Sequence, residues 1–328
     1  MRQFGVLTSL AILLASTTTA SAWWDAGHMR VAAFAYDQLT PEAKAEAARL
    51  LKLNPKYQEW AAAVPAKTDG TPGDVDQWTF IRASVWADDI KTYSDYTRND
   101  DTAAGPKAAQ NIGYADKLVH EYWHYKDIPF STDGSNWPEQ DSVNAETQIK
   151  LFTFALPKSA GETDDIRSYD LSWLLHLVGD VHQPLHSTAY FNAQLRKKWE
   201  DAGKPDVGDR GGNEISVIPA DGKPTKLHFY WDGIFGGYTT PLGAIADNKT
   251  DKIAAPSDFY ANETDPADWL NESHDRALQF AYALPVALDA PQPVLLTRDY
   301  ETAARKVAEA QIALGGYRLA NLLNEAFK

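Results

Sequence analysis

The 328-residue chain contains no cysteine. Disulfides, thiolate ligands and cysteine nucleophiles are therefore excluded, and any metal ion must be held by histidine, aspartate, glutamate or main-chain groups. Positive charge is also scarce: 31 Lys and Arg stand against 45 Asp and Glu, a formal net charge of −14. A broadly basic face for phosphate backbones is thus missing. Apart from Phe4 to Leu14, no apolar run suggests a transmembrane helix, and that run is too short to span a bilayer. Nor is there a Gly/Ser/Pro-rich linker, an internal repeat or a low-complexity tract, so one domain with a sizeable core is expected.

The early apolar run has another explanation. It follows Met1-Arg2 and leads through a Ser/Thr-rich bridge to Ala20-Ser21-Ala22, the small-residue pattern of a secretory cleavage site. Residues 1–22 read as a signal peptide and 23–328 as the mature domain, with Trp23 as its first residue. An exported chain without disulfides points to a bacterial secreted or periplasmic protein.

Helical signals dominate what remains. Thr40-Pro41-Glu42 supplies an N-cap residue followed by proline at the first helical position. Helix-like apolar spacing recurs over 28–39, 139–156, 163–183, 267–284 and 298–327. Strand evidence is confined to a hairpin-like stretch, Asn213-Glu-Ile-Ser-Val-Ile-Pro followed by Ala-Asp-Gly-Lys. Stretches 66–77, 100–110, 131–138 and 201–212 read as surface loops. The expected fold class is mainly α: a single compact helical domain with a short β-hairpin.

The most informative segment is His176-Leu-Val-Gly-Asp180-Val-His-Gln-Pro-Leu-His186. In a helix of about 3.6 residues per turn, His176 and Asp180 share a face, and Pro184 is expected to end the helix and turn His186 back toward them. A core histidine bonded to a carbonyl is the ordinary alternative. Against it, an apolar helix has no reason to bury a carboxylate between imidazoles unless a cation neutralises it. His228-Phe-Tyr-Trp-Asp232 repeats the same His/Asp spacing. Trp86-Ala-Asp88-Asp89 places acids after apolar residues, and Trp23-Trp-Asp-Ala-Gly-His28 puts a histidine close to a new α-amino group, itself able to ligate zinc once deprotonated.

A different chemistry is suggested by His120-Glu121-Tyr-Trp-His124, which matches the H-E-x-x-H pattern of zinc proteases. Its extension fails, since Asp127 and Phe130 stand where Gly and a third His belong. The helix it needs is opposed by Pro129, although Glu139 or Glu146 remains available as a third ligand.

Taken in order, these pieces resemble the type I nuclease family, the zinc-dependent single-strand-specific nucleases and 3′-nucleotidases of the S1/P1 kind. The resemblance runs from Trp23 and Gly27-His28 through Trp86-Ala-Asp88, His124-Tyr-Lys-Asp127 and the 176–186 block. It continues through Gly208-Asp-Arg-Gly-Gly-Asn213 and Leu227-His-Phe-Tyr-Trp-Asp232 to Gly315-Gly-Tyr-Arg-Leu-Ala-Asn321. It implies the zinc fold shared by phospholipase C and these nucleases, and three Zn²⁺. One would be held by Asp88, His124, His176 and Asp180, and a second by His186, His228 and Asp232. The third would take the amino nitrogen and carbonyl oxygen of Trp23 with His28, sharing Asp180.

The implied activity is cleavage of single-stranded DNA and RNA to 5′-phosphate products, with 3′-nucleotides as further substrates and no obligate protein partner. Three zinc ions would make an electropositive pocket in an acidic protein. Asp88 would orient water, Lys91 touch phosphate, Tyr125 stack on a base and Asp127 bond its edge. Asn213 and its glycines either bring backbone to the substrate or form a turn. His120, His182 and His274 are left without roles. A zinc phospholipase C is the nearest competitor, but that branch carries Glu where this chain has Asp232. The protease and a non-catalytic zinc module remain as further alternatives.

Overall fold

A computed structural model describes residues 23–99, 101–138 and 140–328. The signal-peptide reading of residues 1–22 and the candidate ligand Glu139 lie outside the described residues.

The helix that organises the molecule is Asp164–Asp180. Thr163 caps it by accepting from the Ile166 N–H, and Asp164 and Asp165 complement the positive end of its dipole. Every residue from Arg167 to Asp180 is buried. A helix buried on all sides belongs at the centre of a protein, surrounded by others. Here Pro41–Leu51, Ala145–Ala155, Asp25–Gln38 and Arg298–Ala326 pack around it. Thirteen α-helices occur among the described residues, and the fold is mainly α as expected.

Trp86, Tyr114, Tyr169 and Trp173 interlock edge-to-face beside the central helix at centroid distances of 5.6–6.2 Å. Trp173 also meets the His124 ring at 5.6 Å, and Trp86 belongs to the short helix that carries Asp88.

The cap read from sequence is present, with Thr40 accepting from the Ala43 N–H ahead of Pro41, and the structure adds a second at Thr297, which accepts from the Tyr300 N–H. The first helix starts at Asp25, three residues earlier than its apolar spacing suggested. The 267–284 segment is α-helical over Pro266–Arg276 and then widens into a π-turn at Ala277–Ala281. Helices Tyr57–Ala62, Val75–Ala83, Ala193–Asp201 and Pro241–Thr250 were not signalled, being short or weakly patterned.

The hairpin forms with Ser216 opposite Lys226 and Val217 opposite Thr225. Val294–Leu295 adds a parallel third strand that the sequence did not reveal. A second unforeseen pairing matters more. Pro129–Phe130 runs parallel to Ala189–Tyr190, and the contact extends backward as the Lys126 N–H donates to the His186 carbonyl at 2.9 Å. The segment carrying His124 to Asp127 is thereby tied alongside the segment carrying His186.

Candidate metal centre

His176 and Asp180 face one way from the last turn of the central helix, as their spacing required, with Nε2 3.3 Å from Oδ2. Three other segments converge on the pair. The first helix brings His28, whose ring stacks on His176 at 3.8 Å between centroids and whose Nε2 lies 3.2 Å from Asp180 Oδ1. A 3-10 turn, Glu121–His124, brings His124 Nδ1 to 2.9 Å from Asp180 Oδ2. The short helix Trp86–Asp89 brings Asp88 Oδ1 to 3.7 Å from His176 Nε2 and 3.9 Å from His124 Nδ1. Asp180 therefore turns one oxygen to His28 and the other to His124 and His176. Gly179 permits this approach, because a Cβ there would sit 2.7 Å from His28 Nδ1.

The helix does not run on to Pro184. It ends at Asp180, and Pro184–Ser187 forms a separate 3-10 turn. His186 lies in that turn. Its Nε2 meets His228 Nε2 at 3.1 Å, and His228 Nε2 lies 3.4 Å from Asp232 Oδ2. His228 and Asp232 occupy one face of the helix Leu227–Asp232. Trp24 links this second group to the N-terminus, its N–H donating to the Asp232 carbonyl at 3.0 Å.

Proton placement shows that the two groups suit cations. A carbonyl can only accept, so each ring nitrogen that meets one must carry the hydrogen. His186 Nδ1 donates to the His124 carbonyl and His228 Nδ1 to the Gly211 carbonyl, both at 2.8 Å. In the neutral rings the Nε2 lone pairs then point at each other. His176 Nδ1 likewise donates to the Ser84 carbonyl at 2.7 Å, leaving its Nε2 lone pair facing the carboxylate oxygens and His124. His28 Nε2 and Asp180 Oδ1 are buried without hydrogen-bond partners. Lone pairs converging in a dry pocket are unfavourable until a cation occupies the middle.

Titration behaviour agrees. Burial pushes His28, His176 and His228 down to about 4 and His186 and His124 well below the ordinary imidazole range, so all five are neutral imidazoles at pH 7. Burial raises Asp180 to about 8 and Asp232 well above the carboxylate range. At Asp88 burial also pushes upward, but the Lys91 ammonium and the neighbouring histidines outweigh it and hold the group well below its usual value.

Beside the centre lies a cavity of about 200 Å³ lined by Tyr125, Lys126, Asp127, Gln140, Asp141 and Phe191, among others. Tyr125 and Asp127 are both half-buried. Burial, then the charges of Asp209 and Asp141, push Asp127 up to about 8. Lys91 Nζ lies 2.6 Å from Asp88 Oδ1 and is nearly buried. Asn213 donates its side-chain N–H to the Arg210 carbonyl at 2.8 Å, closing a turn.

A family profile described as S1/P1 nuclease matches residues 23–328. The chain belongs to the S1/P1 nuclease family. It is 27% identical over 260 residues to endonuclease 4 of Arabidopsis thaliana, covering 68% of this chain and 79% of that protein. Nuclease S1 of Aspergillus oryzae is 28% identical over 192 residues, 54% of this chain and 60% of the relative. Nuclease P1 of Penicillium citrinum is 29% identical over 181 residues, with shares of 47% and 56%. The chain thus matches little more than half the length of the latter two. Membership makes it a metal-dependent phosphodiesterase, an endonuclease by class. No helix among the described residues is long and apolar enough to cross a membrane.

In this nuclease the protease pattern dissolves. His120 has a left-handed backbone, φ 45°, and the residues after it form a 3-10 turn rather than an α-helix. Its ring nitrogens engage the Tyr122 hydroxyl and Asp116, both at 2.8 Å. Glu121 is exposed and paired with Arg98, and Glu146 is held by Lys126 and Lys150. His182 faces away as expected, donating from Nδ1 to the Val178 carbonyl and receiving Arg318 on Nε2. His274 meets the Thr188 hydroxyl.

The sequence reading passed over the groups that orient the histidines: the carbonyls of Ser84, His124 and Gly211. A carbonyl leaves no residue-type signal. Only Gly211 had a hint, lying in the glycine-rich 208–213 loop. It has φ +62°, and a Cβ there would lie 2.3 Å from the Leu185 carbonyl oxygen.

Proposed function

We propose that this nuclease is an exported zinc-dependent endonuclease, cutting single-stranded DNA and RNA to 5′-phosphate products and also acting on 3′-nucleotides. The observation that carries the reading is the buried convergence of five histidines and three aspartates, in which the Nε2 lone pairs of His176, His186 and His228 are turned toward other acceptors. Asp88, His124, His176 and Asp180 would hold one zinc, and His186, His228 and Asp232 a second. The third would take His28, Asp180 and the amino and carbonyl groups of Trp23. That last assignment needs removal of residues 1–22, and the family match beginning at Trp23 supports it. When bound, such ions lower the pKa of water to about 7 and neutralise charge on phosphate and leaving oxygens.

The protein's own groups do the rest. Asp88 orients the attacking water, and Lys91 beside it supplies a nearly buried ammonium for the phosphate. Tyr125 offers a ring to a base and Asp127 a hydrogen-bonding carboxyl to its edge, both lining the adjacent cavity. Asn213 shapes the loop next to the second group. Stacking requires an unpaired base, which is the basis for single-strand preference. Elemental analysis of the purified mature chain tests the proposal together with cleavage assays on single-stranded and duplex DNA. About three zinc ions per chain and chelator-sensitive, single-strand-selective cleavage are expected. One zinc per chain, or cleavage indifferent to chelation, overturns it.

A further inference from the structure

Gln183 is fully buried between the two motifs that carry Asp180 and His186, and its amide orientation is fixed rather than arbitrary. The Leu185 N–H donates to Gln183 Oε1 at 2.6 Å, so that atom must be the oxygen. The other end of the amide is then the nitrogen, and it donates to Asp232 Oδ1 at 2.6 Å. The remaining oxygen, Oδ2, is the one that faces His228 Nε2 at 3.4 Å.

We infer that Gln183 is the positioning residue of the second metal group, fixing Asp232 so that one chosen oxygen is presented beside His186 and His228. The inference rests on the metal-centre reading above. Three features support it. Among the described side chains, Gln183 is the one shown donating a hydrogen bond to this carboxylate. The amide cannot rotate to offer an oxygen instead without placing its NH₂ against the Leu185 N–H. Its backbone is also anchored, since Gln183 N–H donates to the Asp180 carbonyl at 2.8 Å and its own carbonyl accepts from His186 at 2.9 Å. One residue thus joins the backbone of a first-group ligand, the backbone of a second-group ligand and the carboxylate of another. Partners that orient ligands in this way typically account for 10- to 100-fold in metal affinity.

A residue that caps the Pro184–Ser187 turn and does nothing more would explain the Leu185 bond alone. Two substitutions separate the roles. Gln183→Met has similar length and loses both bonds, whereas Gln183→Glu keeps an acceptor for Leu185 and replaces the donor facing Asp232. The experiment titrates zinc into chelator-stripped mature protein at pH 8, counts ions retained after dialysis, and records the melting temperature of the zinc-free chain. Expected for both variants is loss of about one ion per chain, with that site weakened 10- to 100-fold and the others retained. Wild-type zinc affinity in Gln183→Met overturns the inference, as does wild-type affinity in Gln183→Glu, which would assign any loss in the Met variant to the cap. If the unsubstituted chain itself binds no zinc, the metal-centre reading fails instead, and the same titration shows which has failed.

Discussion

Histidines four residues apart, His120 and His124, enter two different buried clusters of histidine and carboxylate, and the clusters behave oppositely. Around His120, Asp116 meets Nε2 at 2.8 Å, Tyr122 meets Nδ1 at 2.8 Å and Asp101 lies 3.3 Å from Nδ1. The ring also lies flat on Trp123 with centroids 3.6 Å apart. Burial pulls the His120 pKa down, but bonds and charges from Asp101 and Asp116 outweigh it and the value rises. When the ring is protonated, each nitrogen has a hydrogen to donate and an acceptor within reach. Around Asp180 the same residue types leave lone pairs facing lone pairs, and the histidines are driven neutral. The first cluster pairs its histidine with carboxylates and a hydroxyl; the second turns acceptors toward one another, as a cation site would.

The strongest way to break this contrast is Asp180→Asn, which removes the carboxylate turned toward both His28 and His124. Cleavage of single-stranded DNA is expected to fall by more than about 100-fold, with loss of bound zinc, because a ligand should matter at least as much as a supporting partner. Full activity with unchanged zinc would refute the shared role. Next in size is a mature chain carrying one extra residue ahead of Trp23. Its displaced amino group should lower zinc by about one ion per chain and turnover by roughly 10-fold or more. Normal occupancy would remove Trp23 from the centre.

A smaller effect sharpens the contrast through pH in the chelator-treated protein. His28, His176 and His228 sit near 4, below their unfolded value of 6.5, so unfolded chains bind more protons. Their burial is harmless above about pH 6.5 and destabilises as pH falls toward 4, by on the order of 1 kcal/mol per group for each pH unit. His120 has the reverse sign, because its raised value gives stabilisation that is full below 6.5 and lost as pH rises through the folded pKa. In urea titrations His120→Gln should therefore destabilise more at pH 6 than at pH 9, while His176→Gln should lessen the acid sensitivity. Parallel pH profiles for the two variants would erase the distinction. Smallest of all is Glu121→Ala. Its exposed pairing with Arg98 should be worth less than about 1 kcal/mol, and nuclease activity should be unchanged. A large activity loss would revive the protease reading.

Much of the centre was legible because its residues lie in local patterns. The i, i+4 spacing of His176 with Asp180 and of His228 with Asp232 put each pair on one helical face before any fold was known. The cap at Thr40 was readable for the same reason, being decided within a few residues. His120 shows where local pattern fails. His120-Glu-Tyr-Trp-His124 has the letters of a helical zinc site, yet Asp101 and Asp116 draw the first histidine into the core while the second reaches Asp180. Those partners lie 19, 4 and 56 residues away, respectively, and nothing in the motif announces the two distant ones. His186 also depends on distant chain: it is brought beside His228, and its segment is paired with the 126–130 stretch.

The sequence by itself determined the ligand chemistry, the helical class and the faces of the two His/Asp helices, since residue type and helical period are local properties. Tertiary structure decided which histidines come together in space, which nitrogen of His176, His186 and His228 carries its proton, and which oxygen of Asp232 is presented. Those choices are made by backbone carbonyls and a buried amide brought in from distant segments, and a carbonyl is the same in every residue until the fold gives it a place.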